Sequence, residues 1–109
     1  MKIGTRAGAP QGEDKELLDL AIKAAGMTLR WNATDGFSEY SGIKPWNPLL
    51  SNDDALNLAF KLRLKVSFGD GTLLVSVGDY SRIDNLDEEG ASLRRAIVQA
   101  AAHVGTLPR

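Results

Sequence analysis

A chain of 109 residues with 43% hydrophobic and 25% charged side chains has the make-up of one globular domain, which excludes intrinsic disorder. Its formal net charge of −1 supplies no field that would draw it to nucleic acid or to an anionic membrane. The lack of cysteine excludes disulfides, thiolate nucleophiles and cysteine metal sites, and no apolar run approaches the roughly 20 residues of a membrane span.

Residues 1–12 are rich in Gly, Ala and Pro and carry no periodicity, so a flexible tail is expected there, followed by a single domain over 13–109. The tail lacks the apolar stretch of a signal peptide, and the expected location is the cytoplasm. The first helix is predicted over 13–25, where Leu17, Leu18, Ala21, Ala24 and Ala25 recur at helical spacing. Gly26 follows as its left-handed terminator.

Residues 27–31 alternate apolar and polar and read as a short strand. A turn ending in Asp35-Gly36 leads to a returning strand over 37–40, giving a small hairpin. Pro45 and Pro48 keep their predecessors out of the helical region, so 41–48 reads as loop. Trp46, between the prolines, reads as a lid over the core, with a binding platform as the alternative.

Ser51 or Asn52 is the expected N-cap of a second helix over 51–60, with Asp53 and Asp54 in its first turn. Ala55, Leu58, Ala59 and Leu62 form its apolar stripe, and Leu56 and Phe60 widen that stripe until the helix looks largely covered. Over 61–68 the period becomes 2, placing Leu62, Leu64, Val66 and Phe68 on one side of a strand and Lys61, Arg63 and Lys65 on the other. Gly69-Asp70-Gly71 predicts a tight hairpin to a partner strand over 72–77. Residues 78–85 read as polar loop.

The last helix is predicted over 87–104, capped by Asp84 or Asp87, with Leu93, Ala96, Ile97, Ala100, Ala101 and Val104 inward. Gly90 costs about 1 kcal/mol in a helix and moves the expected start toward Ala91. Gly105 reads as the terminator and Pro108 forbids continuation. The expected core is Leu17, Ala21, Leu29, Leu56, Ala59, Leu62, Leu64, Val66, Val75, Val77, Leu93, Ile97, Ala100 and Val104.

No catalytic set is visible. His103 is the only histidine, and neither a nucleophile elbow nor a phosphate loop accompanies it. No cofactor, metal or catalytic residue is therefore expected. Two alternatives are carried. A nucleic-acid footprint would use Lys61, Arg63, Lys65, Arg94 and Arg95, although no aromatic residue interleaves them. A metal-dependent enzyme would need Asp35, Asp53, Asp54 and Asp79, or Asp84, to converge in the fold.

Three blocks carry a family resemblance. Residues 17–26 resemble an "ELLELAAKAAG" opening, Trp46-Asn47-Pro48-Leu49 with 54–64 a "WNPL…DALRLAVKLRL" centre, and 94–102 an "RRAIVRAAA" end. They occur in order within roughly 13–105 and resemble the phage α-β-α sandwich domain family, small phage and prophage proteins of unknown function. One departure is Ser51-Asn52-Asp53-Asp54, where that family often has an Asp-Gly-Asp run. The resemblance implies helices on both faces of a sheet and a life in the cytoplasm of a bacterial host. It brings no functional residue.

The expected fold class is α+β, an antiparallel sheet of three or four strands packed by three helices in the order αββαββα. The expected function is that of a non-catalytic phage accessory protein that binds a host or phage protein, with a homodimer as one expected form. Trp46, Asp53 and Asp54 are the candidate protein-binding residues.

Overall fold

A computed structural model describes residues 9–39 and 44–108. Most of the expected tail, and the end of the returning strand at Tyr40, lie outside them. Helix α1 (Gly12–Ala25) ends at Gly26, whose φ of 68° is the left-handed conformation that its missing Cβ makes accessible. The Met27 N–H reaches back to the Ile22 carbonyl at 3.1 Å and closes the helix. Just before α1, the Ala9 N–H donates to the Thr34 carbonyl at 3.1 Å, so the chain is already tied down at residue 9.

Strands β1 (Arg30–Asn32), β2 (Gly36–Glu39) and β3 (Lys44–Trp46) form one antiparallel sheet in that order. The Asn32 carboxamide oxygen accepts the Thr34 and Asp35 N–H groups at 2.7 and 3.1 Å and shapes the first turn. β3 corrects the loop expected at 41–48: Phe37 pairs with Trp46 and Ser38 with Pro45. Proline is tolerated there because β3 lies at the sheet edge.

Helix α2 (Asn52–Leu62) starts at Ser51, whose Oγ accepts the Asp54 N–H at 3.2 Å. The helix runs two residues further than expected. It stops at Arg63, the one non-glycine residue at positive φ (58°) among the described residues, and the Leu64 N–H closes it onto the Ala59 carbonyl at 3.0 Å. Strand β4 (Lys65–Phe68) therefore begins four residues later than the alternation suggested.

β4, β5 (Thr72–Val77) and β6 (Tyr80–Asn85) form a second antiparallel sheet, with the hairpin expected at 69–71 between β4 and β5. β6 corrects the loop expected at 78–85. It pairs with β5 from Val77–Tyr80 to Thr72–Asn85. As an edge strand it is mostly exposed and lacks an apolar alternation.

Helix α3 (Ala91–Thr106) packs along α1, against α2 and over β5 and β6. The fold is α+β with three helices, but its strands form two sheets of three and its order is αβββαβββα. Leu18, Leu58, Leu73, Val75, Ile97 and Val98 fill the core. Leu56, expected in the core, is exposed. The side of the second sheet away from α3 carries Lys65, Ser67, Ser81 and Ile83, all exposed.

Asp87 sets the start of α3. Its Oδ1 accepts the Ser92 N–H at 3.1 Å, and backbone hydrogen bonds, that of Ser92 foremost, hold its carboxyl below the usual carboxylate range. A carboxylate with a depressed folded pKa stabilises fully above its unfolded value, and that stability goes as pH falls through the folded one. Asp87→Asn should therefore melt below the parent at pH 7, and the gap should close as pH falls well below about 4. Thermal melts of the two proteins across that range check it. A gap independent of pH would remove the assignment.

Candidate functional site

A groove of about 910 Å³ lies between the first sheet and the start of α2. One wall is aromatic. Trp31 and Phe37, paired across β1 and β2, have ring centroids 4.8 Å apart, and the Phe37 ring meets Trp46 edge-on at 6.4 Å. The Lys15 ammonium sits 4.6 Å from the Trp31 ring centre. Pro45 and Leu50 add apolar surface. The lining includes both signs of charge, Arg30 and Lys44 with Asp35 and Asp53.

Asn47, Leu50 and Ser51 of the loop before α2 make the other wall with Asp53 and Asp54. The Asn47 side chain accepts the Leu49 N–H at 2.9 Å, and the Asn47 carbonyl accepts from Leu50 and Ser51 at 3.0 and 2.9 Å. Asp54 is 7% exposed, and its Oδ2 accepts the Asn47 N–H at 2.8 Å. Together with the Ser51 cap on the Asp54 N–H, this bond makes a two-bond link between the loop and the first turn of α2. Its effect is to fix the loop against α2.

The expected protein-binding residues thus separate. Asp53 is exposed and lines the groove, while Asp54 lines it with its carboxylate committed to the Asn47 backbone. Trp46 is 4% exposed and presents no ring face to a partner. Trp31, 40% exposed, is the accessible indole, within the stretch 27–31 whose alternation predicts only a short strand.

The five basic residues do not share a surface. Lys61 is in the last turn of α2, Arg63 is its left-handed cap and Lys65 starts β4, so the common strand face expected for them does not form. Arg94 is near the other end of α2. Its guanidinium donates to the Leu49 carbonyl at 2.9 Å, the Asn52 side chain at 2.8 Å and the Glu89 carbonyl at 2.9 Å. Arg95 pairs with Asp14 of α1 at 2.8 Å. Both arginines are spent on joining elements.

Of the candidate carboxylates, Asp35 in the β1–β2 turn and Asp53 and Asp54 at the start of α2 line the same groove, while Asp79 lies away in the β5–β6 turn. Asp84 bonds Arg82 at 2.6 Å on β6. Among the described residues no three Asp, Glu or His side chains gather closely enough to hold a metal ion. His103 stacks on Tyr80, with ring centroids 4.7 Å apart and planes at 23°. It lies on α3, nine residues past Arg94 or roughly 13 Å along the axis, and does not line the groove.

No helix among the described residues is long and apolar enough to cross a membrane. No family model, curated protein or solved structure matches the chain.

Proposed function

We propose that the protein is a non-catalytic accessory protein that binds an extended segment of another protein in the groove beside β1. The observation that carries this is the edge itself. Among the described residues β1 pairs on one side only, all three of its residues are exposed, and all three line the groove. An open edge offers backbone hydrogen bonds to an added strand, and an aromatic, mixed-charge wall supplies side-chain pockets. Mixed charge fits a peptide better than a polyanion. Origin in a phage or prophage, and action in the cytoplasm of the bacterial host, rest on the sequence resemblance of residues 17–26, 46–49, 54–64 and 94–102.

The test is photo-crosslinking in bacterial cells from benzoylphenylalanine placed at Leu50, which is 58% exposed on the groove wall. The expected result is an adduct with one other protein, and Trp31→Ala should weaken that complex roughly 30-fold, as removal of a central aromatic anchor does. Adducts only with nucleic acid, or a protein adduct indifferent to Trp31→Ala, would sink the proposal.

A further inference from the structure

The exposed side of α2 has an arrangement that self-association explains. Asp53, Leu56, Asn57, Phe60 and Lys61 follow one another at helical spacing, and all five are exposed. Leu56 is 52% and Phe60 72% exposed, one turn apart in the middle of this face. An acid begins the face and a base ends it. Among the described residues neither Asp53 nor Lys61 has an ion-pair partner in its own chain. Arg63 adds a second cation at the same end, over the Phe60 ring at 5.6 Å.

A two-fold axis requires a patch to complement itself. Two copies of α2 laid antiparallel meet that requirement. Asp53 of each copy comes opposite the Lys61 and Arg63 end of the other, and Leu56 comes opposite Phe60. The helix dipoles also run head to tail in this arrangement. We infer that the protein forms a symmetric homodimer through the exposed face of α2. This goes beyond the groove, with whose lining the face shares only Asp53, and the groove is tested separately by its crosslink to a different protein.

The helix has 11 residues and is about 16 Å long. A face that short falls below the roughly 800 Å² per partner of stable complexes, so the dimer is a weak one, with a Kd on the order of 10–100 μM. Sedimentation equilibrium of the full chain from about 5 μM to about 1 mM spans that range. The average mass should rise from 11.7 kDa toward twice that value. Phe60→Ser should raise the Kd more than about 30-fold. Asp53→Lys and Lys61→Asp should each weaken the dimer about tenfold, because each sets two like-charged contacts across the axis, and the double reversal should restore it.

All these side chains are exposed, so the variants should keep the parent's circular dichroism spectrum. A monomer throughout the range overturns the proposal. So does a dimer that ignores Phe60→Ser, or one whose charge reversals are not rescued by the double variant.

Discussion

Gly105→Ala is expected to destabilise the protein by about 3 kcal/mol or more, at the upper end of what overpacking costs. Gly105 lies inside α3 and is buried. A Cβ built on it would collide with the Leu20 carbonyl oxygen of α1 and come within 2.8 Å of the carbonyl carbon. The obstacle is backbone, so no rotamer change relieves it. The two helices must separate, and that opens gaps around Ala21, Ala101 and Ala102, all buried. For a domain near 100 residues, such a loss lowers the melting temperature by at least roughly 12 °C. A melt within 2 °C of the parent, roughly half a kcal/mol, would show that α1 and α3 do not approach this closely.

Arg94→Ala is expected to cost about 2–3 kcal/mol, because one half-buried guanidinium satisfies the Leu49 and Glu89 carbonyls and the Asn52 side chain together. These bonds join α3 to the start of α2 and to the loop that walls the groove. Arg94→Lys should recover less than half of the loss, since an ammonium on a flexible stem does not reproduce a planar fork. Lys61→Ala, at an exposed position, should change stability by less than about 0.5 kcal/mol. Urea denaturation of the three variants separates the clamp from a surface role. If Arg94→Ala proves as benign as Lys61→Ala, Arg94 is not holding the elements together.

These two positions also mark how far the sequence could be read. Gly105 was legible as special, because glycine is disfavoured within helices. The reading as a helix terminator failed because the feature that demands glycine is the carbonyl of Leu20, 85 residues away in the chain. Arg94 was legible as a cation but not as a clamp, since its acceptors lie on other elements. The groove was half visible: Asp53 and Asp54 were singled out from their place in a helix's first turn. Trp31 and Phe37 were not, because a groove wall is defined by which faces are left uncovered.

The sequence by itself determined the three helices, the hairpins at Gly36 and Gly69-Asp70-Gly71, and the α+β class. Each depends on near neighbours: apolar periodicity, caps such as Ser51, and glycines at turns. The tertiary structure decided the rest. It turned an apparent eight-residue strand into a helix end, a left-handed Arg63 and a short β4, because capping contacts and packing outweighed a coincidental period of 2. It made edge strands of Lys44–Trp46 and Tyr80–Asn85, where pairing partners supply what local pattern lacks. It also left Leu56 and Phe60 uncovered. Burial is a property of the whole assembly of elements, and no stretch of chain carries it alone.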